Sequence, residues 1–552
     1  REGHQLLEGA ALAAGETPSP EMVAAAGEEG TLAAGPAWAL FGGVVALLAA
    51  ILLISALARD VGVAPPEKSQ DSLMDRAREV AVRLGWTAPP ADSSGVFVRD
   101  YPYLTWMAEN APPGWARHLA SSWWTSALFR YRQSPRPLFL HNARGSVRAD
   151  DPPMNVSGML TVELDTRGRL RKLLAVPRQV RGGPTTVSPP PWAELFAEAG
   201  LDAREFVPSE AKWLPPVPYD ALAGWTGTVP GMPTATLSVV AAFQSGRPAY
   251  FELIAPWSEA AQETTRPTAI RATVTDVVAG VLGVCFTVAG LLFARRNLRL
   301  GRGDRTGALR LSAAGFLLVL VSHLFARHFS AAPGAFERAF WETLANALPP
   351  AVFLAVVYLA LEPYFRRRYP ELLVSWTRLL SGRIRDPLVG RDHLQGILAG
   401  LAVCLVLSLE NVPPALFSAR GQTPMGVDPV ALAGLPGLAS YAAFAIAESL
   451  VWLFFTAASL FLGRLFLRNA ALAAAATWLV LFQKGSGGEN PLIEMTGAAV
   501  IATILLAVFL RGGLLGLAVA FGVFNLLRSA PITPEVSRWF AGYGLACLAA
   551  VL

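Results

Sequence analysis

The stretch that most constrains this chain is Glu362 to His393, EPYFRRRYPELLVSWTRLLSGRIRDPLVGRDH, which lies between two apolar runs. It carries Arg366, Arg367, Arg368, Arg378, Arg383, Arg385 and Arg391 against Glu362, Glu371, Asp386 and Asp392. So polar a segment does not cross hydrocarbon, and its arginines assign it to the cytoplasmic side by the positive-inside rule. Once that side is set, every other segment follows by counting crossings.

Composition agrees that a membrane is the solvent. With 53% hydrophobic and 16% charged residues and a mean hydropathy of +0.41, the chain is too apolar for a soluble multidomain protein. The apolarity is uneven, because Arg59 to Arg271 holds no run long enough to span a bilayer. The expected fold is therefore a polytopic α-helical membrane protein of about ten transmembrane helices, with an inserted α+β extracytoplasmic module. A net charge of +5 with its basic residues beside apolar spans speaks for topology, and against nucleic acid as a partner.

Taken in order, residues 1–35 read as a cytoplasmic linker with the turn signal Thr17-Pro18-Ser19-Pro20, and residues 36–57 as the first transmembrane helix. Residues 58–271 form the extracytoplasmic module. Gln70 to Trp86 places Leu73, Ala77, Val80 and Leu84 on one helical stripe. Two alternating pairs around glycine-bearing turns, near 158–176 and 235–254, read as β-hairpins, and Trp192 to Ala199 as a second helix. The module's many tryptophans, Trp106, Trp115, Trp123, Trp124, Trp192, Trp213, Trp225 and Trp257, either fill a small core or line a ligand groove.

Residues 272–552 form the multi-helix transmembrane domain. Thr273 to Phe293 runs inward to a first basic loop, where Arg295, Arg296, Arg299, Arg302, Arg305 and Arg310 face a single Asp304. Leu309 to Phe329 then runs outward and Trp341 to Leu361 returns to the arginine stretch, so the two basic loops fall on one side with two crossings between them. Leu394 to Leu409 leaves again. Gly434 to Gly463 reads as one tilted helix or a broken pair, and Ala470 to Phe482, Thr496 to Leu510, Leu514 to Leu527 and Trp539 to Leu552 complete the count. The chain lacks an initiator Met, and its last apolar run stops after about fourteen residues. Both ends are read as cut from a longer protein. The localisation expected is the bacterial inner (plasma) membrane, with the N-terminus cytoplasmic.

Few residues offer chemistry. The histidines at 4, 118, 141, 323, 328 and 393 keep no metal-site company, and Cys285, Cys404 and Cys547 all lie in apolar runs. Gly301-Arg302-Gly303-Asp304 has no strand-to-helix phosphate turn, and no nucleophile elbow occurs. No catalytic, cofactor-binding or metal residue is therefore assigned. The candidate intramembrane polar residues are Glu410, Asn411, Glu448 and Asn525, because ionisable groups in a bilayer are costly and often functional. Glu448 is either a proton or substrate site, or is paired inside the bundle with Asn525 or Arg464. The cytoplasmic basic loop contributes Arg366, Arg367, Arg368, Arg383, Arg385 and Arg391.

Two stretches carry a resemblance. Ala11 to Gly27, ALAAGETPSPEMVAAAG, and Leu361 to His393 are similar to the region that follows the catalytic domain in large membrane-bound bacterial serine/threonine protein kinases of eukaryotic type. That resemblance implies a membrane-anchoring and signal-sensing portion, with the lipid bilayer, a cytoplasmic kinase domain N-terminal to residue 1 and an extracytoplasmic ligand as partners. The chain itself has no glycine-rich loop with its lysine, no HRD and no DFG, so ATP and magnesium belong to a domain absent from it. The alternative reading is a stand-alone transporter or a degenerate relative of the CPBP intramembrane proteases. That family uses paired glutamates and later histidine motifs, whereas here Glu448 is followed by Ser449, no second glutamate stands beside it, and no histidine occurs after His393.

Overall fold

The computed structural model describes residues 22, 32–112, 114–140, 146–180, 191–259, 270–330, 333–412, 422–485 and 491–552. Most of the 1–35 linker lies outside them. Helix α1, Ala34–Ala58, is apolar on all sides and opens the bundle. Beyond it come a single turn, α2 (Asp60–Val63), and the amphipathic α3 (Gln70–Arg83), whose Ser69 accepts from the Ser72 N–H as an N-cap. Leu73, Ala77, Val80 and Ala81 are the buried stripe of α3.

The module is one eight-stranded antiparallel sheet in the order β1-β2-β3-β4-β8-β7-β6-β5. β1 (Asp92–Arg99), β2 (Ala127–Ser134), β3 (Leu160–Asp165) and β4 (Leu170–Ala175) follow α3, with α4 (Tyr101–Asn110) between the first two. A second helix, α5 (Trp192–Ala199), is followed by β5 (Val207–Ser209), β6 (Ala221–Val229), β7 (Met232–Gln244) and β8 (Arg247–Ile254). Each half is thus a helix and a four-strand meander, and the halves join edge to edge where Leu173 faces Phe251. Both helices cover one face. Leu73 and Val80 of α3 share a core with Phe196 of α5, Phe129, Val162, Leu237 and Phe251.

The tryptophans fill this core. Trp115, Trp124 and Trp257 are buried, Trp124 meets Trp257 at 5.0 Å, and Trp192 packs edge-on to Phe243 at 4.9 Å. Trp213 instead packs on the opposite face, beside Val240 and Tyr250.

The bundle follows with α6 (Ile270–Arg299), α7 (Arg305–Ala326), α8 (Ala335–Arg368), the short α9 (Val374–Leu380), α10 (Pro387–Glu410), α11 (Gly434–Leu467), α12 (Ala470–Gly485), α13 (Pro491–Arg528) and α14 (Ala541–Ala549). Among the described residues six helices are long and apolar enough to cross a membrane: α1, α7, α8, α10, α11 and α13. The residues from Gly434 form a single helix. Within α8, Pro363 cannot donate to the Leu359 carbonyl, and the Asn297 side chain of α6 donates to it at 2.8 Å instead. The two basic loops touch each other. Arg366 donates to the Arg302 carbonyl and Arg310 to that of Leu380.

The two runs expected at 496–510 and 514–527 are two arms of α13, which turns back at Gly513 (φ 61°, ψ −157°). A Cβ built on Gly516 would lie 3.6 Å from the Val508 carbonyl oxygen. A straight helix would hold residues eight apart at roughly 12 Å. The contacts of α10 fit the same reversal: Gly497 and Gly512 meet Glu410 and Gln395 in antiparallel sense, whereas Gly396 and Gly400 meet Gly516 and Ala520 in parallel.

The arginine stretch is more than a connecting loop. Leu372, Leu373, Val374 and Trp376 are buried in the end of the bundle, Trp376 edge-on to Phe454 at 6.3 Å, and the Leu372 backbone lies against Gly513. Glycine is required at 513 twice, by its positive φ and by that approach. Gly513→Ala should therefore cost at least about 1–3 kcal/mol, seen as a lower unfolding midpoint of the detergent-solubilised chain; an unchanged midpoint would contradict the close packing.

Candidate functional site

Where α1 leaves the bundle, Arg59 adopts an extended backbone and buries its side chain completely. Its guanidinium donates to the Leu527 carbonyl at 2.7 Å, to Ala530 at 2.8 Å and to Arg528 at 3.1 Å. Leu527 and Arg528 close α13 and Ala530 follows it, at the negative end of the helix dipole, where carbonyls lack an amide four residues on. Tyr441 of α11 adds its hydroxyl to the Leu526 carbonyl at 2.8 Å. Three helices thus meet on one helix end.

The neighbouring backbone ties the same point to the sheet. The Asp60 N–H donates to the Met425 carbonyl at 3.0 Å and the Met425 N–H to that of Ala58 at 2.7 Å. The Asp60 carboxylate accepts from the Val61 N–H at 2.6 Å and lies 3.5 Å from Arg99 Nε at the end of β1. Burial pushes the Asp60 carboxyl up, and Arg99 opposes that shift. Arg99 also donates to the Pro424 carbonyl. The segment before α11 is closed onto α13 by Asp428 N–H donating to Ser529 at 2.9 Å.

One turn further into the bundle stand two of the residues singled out by sequence. Glu448 pairs with Arg528 at 2.9 Å and accepts from Trp452 Nε1 at 3.2 Å. Asn525 donates to Ser449 Oγ at 2.9 Å, and Arg464 donates to the Tyr369 hydroxyl at the other end of α11. Glu448 therefore takes neither of the partners considered for it.

Asn411 donates to the Leu407 carbonyl at 2.8 Å and closes α10. Glu410 sits against Gly497 of α13, and its Oε1 is buried without a hydrogen bond among the described residues. No hydrogen bond or ion pair recorded among the described residues joins Glu410 to Glu448.

The basic loop divides by burial. Arg367, Arg368, Arg383 and Arg385 are exposed. Arg366 is buried beside Glu362, with which it pairs at 3.3 Å, and Arg391 holds Asp392 at 2.9 Å. No group of three or more His, Cys, Asp or Glu is placed to hold a metal among the described residues.

Sequence reasoning missed Arg59, Asp60, Arg99 and Arg528. The only signal was an Arg-Asp pair directly after an apolar span, which reads first as a boundary charge. A scan against family models gives no match, and searches of curated proteins and of solved structures give none either.

The arrangement is built of hydrogen bonds and ion pairs between main chain and side chains. What it can do is transmit position, because the exit of α1, the first strand of the sheet and the end of the α13 hairpin share one hydrogen-bonded node. Arg59→Met would remove three hydrogen bonds from a charged donor, each worth about 1.5–3 kcal/mol. The unfolding midpoint should fall steeply, Arg59→Lys should recover part of it, and equal midpoints for Met and wild type would remove the node's structural role.

Inside the sheet core, Asp100 caps α4 through the Tyr103 N–H at 3.1 Å and accepts from Trp124 Nε1 at 2.8 Å. Burial pushes its carboxyl up to about 6. The folded state then binds its proton more tightly than the unfolded chain, whose value is about 3.9. Stability from this group is accordingly highest below pH ~4, falls as pH rises towards ~6 and is flat above, by on the order of 3 kcal/mol. Tryptophan fluorescence of unfolding should show that slope in the wild type and lose it in Asp100→Asn.

Proposed function

We propose that this chain is the membrane-anchoring and signal-sensing portion of a bacterial receptor-type serine/threonine protein kinase, its catalytic domain joined ahead of residue 1. The arginine stretch and the linker support the kinase association by their resemblance. The Arg59 node supports the sensing role, and it is the observation that carries it: Arg99 at the end of β1 is ion-paired to Asp60, whose neighbour Arg59 is hydrogen-bonded to the end of α13, at the point where α1 emerges. A signal that shifts the sheet therefore reaches α1, the helix that leads to the cytoplasmic linker.

In this reading the membrane part has ten segments, counting α6, α12, both arms of α13 and the short α14 with the longer spans. The basic loops face the cytoplasm and the sheet faces outward, in the bacterial inner membrane. Contact between the two basic loops supports that parity. Glu448 is a structural ion pair here, where the transporter or CPBP-like alternative would use it in turnover.

The test uses the full-length protein with its kinase domain, read by autophosphorylation. Removing residues 59–271, or Arg59→Met in chains that still insert, should change kinase output several-fold, and Glu448→Gln with normal insertion should leave it within about twofold. Output indifferent to the deletion would end the sensing reading; loss of function on Glu448→Gln alone would favour the alternative.

A further inference from the structure

A cavity of about 170 Å³ lies where the sheet meets the end of the bundle. Three distant parts of the chain line it. Pro65 and Glu67 come from the segment just after Arg59, Ser126 and Thr166 from the residues just before β2 and just after β3, and Arg538 from the segment after α13. At roughly 30 Å³ per water, it has room for about six waters or one small organic molecule.

Its walls are held in place by groups that do not themselves face a ligand. Asp165 is wholly buried and accepts from the Arg167 N–H at 3.0 Å and the Arg169 N–H at 2.9 Å, and pairs with Arg169 at 2.6 Å and Arg171 at 3.0 Å. That network shapes the β3–β4 turn which presents Thr166. On the far wall, Trp539 stacks on Phe97 at 6.1 Å and donates to the Pro66 carbonyl at 3.0 Å, which sets the position of its neighbour Arg538.

The charged groups differ in what they have left to offer. Arg167 spends its guanidinium on Glu67 at 2.6 Å and on the Ser122 and Ala120 carbonyls at 3.0 and 2.8 Å. Arg538 uses only Nε, towards Glu535 at 2.6 Å, and its two terminal nitrogens have no partner among the described residues. Glu67 uses Oε1 alone. The cavity therefore offers a two-pronged donor suited to a carboxylate, one carboxylate oxygen suited to an ammonium, and two hydroxyls. Glu67 and Glu535 beside it disfavour a dianion such as phosphate.

We propose that this cavity binds a free amino acid with a small side chain, its carboxylate on the terminal nitrogens of Arg538 and its ammonium on Glu67. Bound there, it bridges the segment leaving α1 to the segment leaving α13, on either side of the Arg59 node. The inference rests on the sensing reading for its purpose, but its chemistry stands on the cavity alone.

Isothermal titration of the full chain in lipid nanodiscs tests it, with glycine, L-alanine and L-serine as probes and acetate, methylamine and inorganic phosphate as controls. At least one amino acid should bind, more tightly than every control. Arg538→Gln should weaken it about tenfold or more, as loss of a two-pronged charged contact implies, and Thr166→Val should weaken it less. The proposal is overturned if no amino acid binds the folded chain, if acetate or phosphate binds as well, or if Arg538→Gln leaves affinity unchanged. Should Arg538→Gln not fold, Glu67→Gln carries the same test, with selective loss of amino acids over acetate as the expected result. Kinase output is not read, so failure here leaves the sensing role to its own experiment.

Discussion

A single guanidinium governs how this protein holds together. Arg59 caps the end of α13 with three hydrogen bonds, and a helix end buried at that depth has no water to turn to. The arrangement solves two problems at once. Carbonyls that α13 leaves open gain charged donors, and a cation that would be costly to bury alone gains acceptors. Since Asp60 is the next residue and pairs with Arg99, the same point also sets where the sheet sits on the bundle.

The hairpin in α13 depends on that cap from one end and on Gly513 from the other. Its two arms flank α10, and the small residues Gly396 and Gly400 let the backbones of α10 and the second arm approach closely, as helix pairs in membranes commonly do. The tip rests on Leu372, so the arginine stretch serves both as a polar boundary and as a plug. Its charged residues and its buried Leu-Leu-Val-Ser-Trp run are interleaved, and this is how one segment does both.

Much of the architecture was legible because bilayers and sheets impose strong periodicities. The first span, α3, α5 and both hairpins follow from apolar length, from a 3.6-residue stripe or from alternation, whereas the run from Gly434 read equally as one helix or a broken pair. The sheet's doubled plan was not legible, since pairing β4 with β8 joins residues some eighty positions apart, and neither strand's pattern names its neighbour. The same holds at the candidate site. Glu448 stood out as an ionisable residue among apolar ones, yet its partner Arg528 reads in sequence only as the charge that ends a span.

By itself the sequence determined that the chain has runs apolar enough to cross a membrane, that residues 59–271 hold none, and which loops carry the positive charge. These follow from transfer free energy, which is a property of each segment alone. Only the tertiary structure decided that α13 folds back on itself, that Trp376 enters the bundle, and that Arg59, rather than the conspicuous arginine stretch, joins sheet to helices. Those outcomes depend on which unpaired backbone groups end up near which donor. That is settled by packing between residues hundreds of positions apart, not by the character of either one.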